Sequence, residues 1–278
     1  MGTSSRIKRH AEEGGHIGLT ALARAGYAAR GIVYLVVGVL ALLTAVHALG
    51  VSTGGASGGT AGTKGALQVV LGLPAGPWLV GAMAAGLLGF TIWRLVQGFG
   101  DADSHGRDAK GIVIRGGLIV SGLIHLGLAV YAASLLWSAG GGGGTPGWSA
   151  WLARQWWGSG VIAAFGLFAM GVAAAQVRKA VRKTYRKTLR PSAAAPWIDG
   201  IARFGLGAKA LVLGMVGVFL VAAAFGWGSA GAAGLSQVLS TLLAQPYGAW
   251  LLGVTAAGLG AFGVYGLVQA WYRIIPTP

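Results

Sequence analysis

The chain has no cysteine and only six acidic residues in 278. The first absence excludes a disulfide framework, a thiolate nucleophile and any cysteine-ligated metal. The second matters through position. Glu12, Glu13, Asp101, Asp103, Asp108 and Asp199 all fall in the N-terminal tail or in polar segments between long apolar runs. Proton-coupled pumps place a carboxylate at membrane depth, and two-carboxylate hydrolysis needs a pair in one pocket. Neither device is present, so no catalytic residue, metal site or cofactor is expected. Charge of either sign is scarce as well, at 10% against about 25% in ordinary soluble domains.

What the chain has in quantity is apolar sequence and glycine: 55% hydrophobic residues, 52 glycines and a mean hydropathy of +0.68. Six apolar blocks run roughly over Ala28–Leu49, Gly76–Phe99, Gly111–Ser138, Gly158–Val177, Phe204–Trp227 and Tyr247–Tyr272. Each is about 20 residues or more, long enough to span a bilayer as a helix. No barrel-like alternation appears, and open strands leave their backbone unsatisfied in lipid. The expected class is therefore an all-α, polytopic membrane bundle of six transmembrane helices.

The first block has some features of a cleaved secretory signal, with Arg6, Lys8 and Arg9 ahead of it. Its opening pattern, however, recurs. "ARAGYAARGIVY" at Ala23 is echoed by "IRGGLIVSGLIH" at Ile114 and "ARFGLGAKALVL" at Ala202, aligning Arg24, Arg115 and Arg203, and Gly26, Gly117 and Gly205. A cleavage signal has no reason to repeat inside the mature chain. Second spans repeat too: "LPAGPWLVGAMAAGLLGFTIWRLVQGF" from Leu73 matches "QPYGAWLLGVTAAGLGAFGVYGLVQAW" from Gln245, aligning Gln97 with Gln269, and the divergent middle copy keeps Gln176. The organisation expected is a tail over 1–21 and three two-span repeats over 22–104, 105–190 and 191–278. The repeats are parallel, and three of them imply a pseudo-threefold axis along the membrane normal.

With the N-terminus inside, every lysine and arginine except Lys64 and Arg154 falls on the inner side, a strong positive-inside pattern. The net charge of +15 is thereby explained by topology, and no nucleic-acid partner is expected. The location expected is the bacterial cytoplasmic (inner) membrane, with both termini cytoplasmic. Outer connections carry apolar stripes at helical spacing, Leu235, Val238, Leu239 and Leu242 in one, Trp148, Trp151, Leu152 and Trp156 in another. These read as short interfacial helices on the outer face, where most of the tryptophans also gather. The glycine runs "STGGASGGTAGTKG" and "AGGGGTPG" lack the strand–loop–helix context of a phosphate loop and read as linkers.

At "ARAGYAARGIVYLVVGVLAL", "LPAGPWLVG", "QPYGAWLLG" and "AAAQVRKAVRKTYRKTLR" the chain resembles a family of bacterial membrane proteins catalogued as domain of unknown function 1206. The resemblance implies three copies of a two-span unit and carries no activity. Its first-span motif, G-Y-x-A-R-G-x-V-Y, is complete only in the first copy. Ser121 and His125 stand where Arg30 and Tyr34 do, and the third copy has Lys209 and Leu213.

Four residues are candidates for intramembrane binding. His125 lies mid-span, where an ionisable group marks a functional site by default; the plainer reading is a neutral imidazole bonded within the bundle. Arg30 and Tyr34, one helical turn apart, are expected to ring an inner vestibule with Lys209 and to attract anions or lipid headgroups. The plainer reading is snorkelling to the interface. The run "QVRKAVRKTYRKTLR" is expected to continue the fourth span as an amphipathic helix. Arg178, Arg182, Lys183, Arg186 and Lys187 would contact anionic lipid, or an acidic membrane-protein partner. Together these readings point to a non-enzymatic structural or interaction component of the membrane. A channel or transporter for a small solute or ion along the repeat axis is the alternative. A continuous polar file along that axis would favour transport, and a sealed one the scaffold.

Overall fold

The computed structural model describes residues 3–50, 62–137, 155, 157–193, 195–227 and 235–275, with side chains from residue 18 onward. Among them are eight α-helices: α1 (Thr3–Ala48), α2 (Thr63–Leu71), α3 (Gly76–Gly100), α4 (Ala109–Trp137), α5 (Gly158–Val181), α6 (Pro196–Ala224), α7 (Leu235–Leu243) and α8 (Gly248–Tyr272). Six are long and apolar enough to cross a membrane: α1 from Gly18, α3, α4, α5, α6 and α8. Val39, Leu88, Ile124, Leu167, Val218 and Val254, one on each, point outward and stay exposed. Lipid accepts such a surface where water would not. The chain is a multi-pass helical membrane protein.

The long helices follow one another around the bundle. α1 packs on α3, α3 on α4, α5 on α6, α6 on α8 and α8 back on α1, whereas α4 and α5 make no comparable contact. Side-chain size accounts for the difference. On α3, Gly86 faces Ala29 of α1, and on α8, Gly258 faces Ala208 of α6. A methyl against bare backbone lets the axes approach closely. Aligned through Gln97 and Gln176, the middle pair carries Phe165 and Val120 at those places, and there α5 reaches α4 through the ring of Phe168, near Gly117. The α8–α1 seam is closed by glycines on both sides, Gly31 against Gly263 and Gly38 against Gly260.

α3 and α8 start from the same turn, written Leu73-Pro74-Ala75-Gly76 and Gln245-Pro246-Tyr247-Gly248. Ala75 and Tyr247 are left-handed, with φ of 62° and 58°. The following glycine then donates its N–H three residues back, to Leu73 O at 2.7 Å and to Gln245 O at 2.8 Å. A β-carbon at Gly76 or Gly248 would overlap the carbonyl of Leu71 or Leu243, so only glycine fits.

The stripe Val238, Leu239 and Leu242 lies on α7 as its spacing predicts, and its side chains are buried in the bundle. α2 stands in the corresponding place between α1 and α3, with Ala66, Leu67 and Val70 buried, and sequence reading missed it. The tryptophan stripe over 148–156 lies outside the described residues. Asp199, expected in a connecting segment, sits in the first turn of α6, where a carboxylate suits the helix dipole.

Candidate functional site

Polar side chains concentrate toward the end of the bundle where α1 begins its span and α3 and α8 finish theirs. Arg30 is the hub and is 5% exposed. Its guanidinium packs against the rings of Tyr27, Phe90 and Phe262, at 5.4, 5.0 and 5.0 Å from their centroids. Such cation–π contacts strengthen away from water. Its Nη2 donates to Gln269 Oε1 at 2.9 Å, and Gln269 Nε2 donates to the Tyr265 hydroxyl at 3.2 Å.

The structure brings Arg30, Tyr34 and Lys209 together, with Phe262 between them. Lys209 Nζ lies 4.4 Å from the Phe262 centroid and 5.5 Å from that of Tyr34, whose ring meets Phe262 edge-on at 4.9 Å. His125 joins from α4: its ring packs on Phe90 at 4.6 Å, and its Nδ1 donates to the Ser121 carbonyl at 2.7 Å. That bond fixes the tautomer and leaves Nε2 as an acceptor. The bond is local to α4, made to the residue one turn back.

Sequence reading missed the rest of the cluster. Arg94 lies 4.8 Å from the Phe90 centroid, and its Nη1 donates to Gln97 Oε1 at 3.1 Å. Gln97 Nε2 in turn donates to Asp103, which also pairs with Arg273 Nη2 at 3.5 Å. Arg273 lies 5.1 Å from the Tyr27 centroid and is itself buried. The one sequence sign of this network was the glutamine recurring near the end of each second span. Of the three repeat arginines, Arg115 has a plain structural role: it donates to the carbonyls of Gly98 and Phe99, at 2.8 and 2.9 Å, and caps α3.

The basic run after the fourth span is not the expected amphipathic helix, and this corrects that reading. α5 ends at Val181, Lys183 turns left-handed at φ 52°, and residues Thr184–Thr188 form a tight 3₁₀ turn. Burial decides the outcome. A continuous helix would have left Tyr185 and Leu189 in the interface. Instead both pack against Ile198, Ala202, Leu206, Phe262 and Val268. Arg190 N–H donates to Tyr272 O at 2.8 Å and Ile274 N–H to Thr188 O at 3.0 Å, strapping the segment to the end of α8. Asp199 fastens it from α6: it accepts from the Tyr185 hydroxyl at 3.0 Å, accepts from both Nε and Nη2 along one edge of the Arg186 guanidinium, and lies 3.4 Å from Lys183 Nζ. Burial, with Asp199 beside it, pushes the Tyr185 phenol up to about 12, so it stays a donor. Lys183 and Arg186 are thus engaged within the protein, while Arg178, Arg182 and Lys187 remain exposed.

Chemically, the site offers cations, N–H donors and aromatic faces. Among the described residues no group of three histidines and carboxylates gathers as metal ligands.

The family model described as Domain of Unknown Function (DUF1206) matches residues 25–101 and 204–273, the regions of the first and last span pairs. The chain is similar to "Uncharacterized protein YxxB" of Bacillus subtilis (strain 168), 29% identical over 255 residues that cover 90% of each chain. No solved structure matches the chain.

Proposed function

The chain belongs to the DUF1206 family, and from that premise we propose that it is a non-enzymatic structural or interaction component of the bacterial inner membrane. One observation carries this reading: among the described residues, the half of the bundle beyond the polar cluster is packed mainly by apolar side chains, with Thr255 a buried polar exception. Val33, Val37 and Ala41 of α1 meet Val80 and Met83 of α3, Leu252, Ala256 and Leu259 of α8, and the buried faces of α2 and α7. A conduction path needs a continuous polar lining, and the polar cluster ends against this plug. The transporter alternative is therefore not favoured.

In this reading both termini are cytoplasmic, three two-span repeats surround a pseudo-threefold axis, and α2 and α7 lie at the outer face. The seams α8–α1, α3–α4 and α5–α6 support the repeat arrangement, since each joins a second span to the first span of another repeat. So do the matched approaches of Gly26 to Phe90 and Gly205 to Phe262. Trp78, Trp137 and Trp250, exposed at one end of their helices, and Trp227, exposed just beyond the end of α6, suit an aromatic belt there. Exposed Arg178, Arg182 and Lys187 face anionic headgroups, each basic residue near such a surface contributing about 1 kcal/mol.

The test is ion and proton flux through proteoliposomes holding the wild type or His125→Gln. A sealed scaffold passes neither ion in either form. A wild-type flux that changes between acid and neutral pH and vanishes in the variant would replace the scaffold with a conduction path through His125.

A further inference from the structure

We propose that the cationic–aromatic cluster is a built binding site for a phosphate-type oxyanion, carried either by an anionic lipid headgroup or by free phosphate. Charge balance comes first. Arg30, Arg94 and Arg273 keep their protons in any protein environment, and among the described residues the carboxylate facing them is Asp103, which sits with Arg273 and Gln97. Lys209 shares the Phe262 ring with Arg30, and Lys179 lies within electrostatic range of Arg30, Arg94 and Arg273. Even without the two lysines, three fixed positive charges meet one negative charge. Buried charge left uncompensated is strongly destabilising, and like charges this close repel. A bound anion resolves both problems.

Hydrogen bonding points the same way. Arg30, Arg94 and Arg273 each bury an Nε–H with no acceptor among the described residues, and Arg30 and Arg273 are more than nine-tenths buried. Shared aromatic rings hold the guanidinia near one another: Arg30 and Arg94 flank Phe90, and Arg30 and Arg273 flank Tyr27. These three Nε–H groups are donors, and an oxyanion is all acceptor. Each guanidinium lies close to an aromatic ring, and its unpaired Nε–H is a charge-assisted donor of the kind that phosphate accepts from.

There is also a way in. α4 and α5 do not close on each other, so the bundle is least sealed on the side of the middle repeat. Tyr34, Arg94, His125, Lys179 and Lys209 each retain accessible surface despite their depth. A headgroup entering laterally between α4 and α5 and free phosphate entering from the basic end would meet the same cations.

The experiment uses the full chain, purified and delipidated in neutral detergent, with thermal unfolding as readout. One arm titrates inorganic phosphate against chloride of equal ionic strength; the other adds phosphatidylglycerol against phosphatidylcholine. Saturable stabilisation by phosphate supports the site and a free anion as its ligand. Stabilisation by phosphatidylglycerol alone supports the site with a lipid ligand. In either case Arg30→Gln and Lys209→Gln should weaken half-saturation at least about tenfold, as loss of a charge-assisted contact predicts, while exposed Lys187→Gln leaves it unchanged. If Arg30→Gln does not fold, Lys209→Gln carries the comparison. The proposal is overturned if neither ligand stabilises the wild type beyond its control, or if both site variants respond as the wild type does. Binding is read without flux, so failure here leaves the scaffold reading standing, and flux in the proteoliposome test leaves this site standing.

Discussion

The same substitution at three equivalent glycines should have two different outcomes. Gly26, Gly117 and Gly205 are aligned by the opening pattern shared by α1, α4 and α6. A β-carbon on Gly26 would lie 2.6 Å from the backbone N and Cα of Phe90, and on Gly205 at 2.5 and 2.6 Å from those of Phe262. Backbone cannot yield without parting the helices, and such overpacking costs about 1–3 kcal/mol. Against this, alanine in a helix gains roughly 0.5–1 kcal/mol over glycine. Gly26→Ala and Gly205→Ala should therefore each lose roughly 1–2 kcal/mol. At Gly117 the nearest atom is Cζ of Phe168, at 3.2 Å, the far end of a side chain that can turn aside. Gly117→Ala should equal the wild type or gain up to about 1 kcal/mol. Unfolding in mixed micelles, titrated with a denaturing detergent and followed by tryptophan fluorescence, separates these outcomes. Three variants of equal stability, or Gly117→Ala as the worst, would refute the splayed middle pair and the equivalence of the outer two.

Two further outcomes are expected. Asp199→Ala should free the strap at Lys183, Tyr185 and Arg186, raising tryptic cleavage after Arg186 in detergent by up to about tenfold, since partly exposed ion pairs are individually weak; unchanged cleavage would mean that burial of Tyr185 and Leu189 alone holds it. Reporter fusions after Gly50, Trp137 and Gly226 should read outside and those at Ser104 and Ser192 inside, and an inside reading at Trp137 would break the six-span topology.

The six long helices were legible because lipid imposes one crude requirement, about 20 apolar residues per crossing, and the sequence meets it six times with polar breaks between. α7 was legible from its stripe, whereas α2, only nine residues long, begins at the end of a glycine-rich run that masks its three apolar contacts. The basic run misled because its period was genuinely helical. Arg178, Arg182, Arg186 and Arg190 recur every fourth residue, but Tyr185 and Leu189 find more burial against α6 and α8 than an interface offers. A local pattern lost to a tertiary contact that no local window contains. The same holds at the site. Arg30, Tyr34 and Lys209 were found because they stand out in apolar spans, but Arg94 and Arg273 sit near helix ends, where a basic residue is ordinarily a topology signal.

The middle pair of spans, α4 and α5, ties these departures together. Where the aligned outer spans carry Arg30 and Lys209 it has Ser121, and where they carry the small pairs Ala29/Gly86 and Ala208/Gly258 it has Val120 and Phe165. One change removes a cation from its third of the cluster. The other holds α4 and α5 apart and leaves that third open. His125 takes the place of Tyr34 on the open side, packed on Phe90 with Nε2 free to accept. A bundle with three matching repeats would place three cations around a closed centre, and repulsion would oppose it. The different residues of the middle span pair lower the charge and open a side in the same place. That side is where an anion entering from the membrane or the basic end would have to pass.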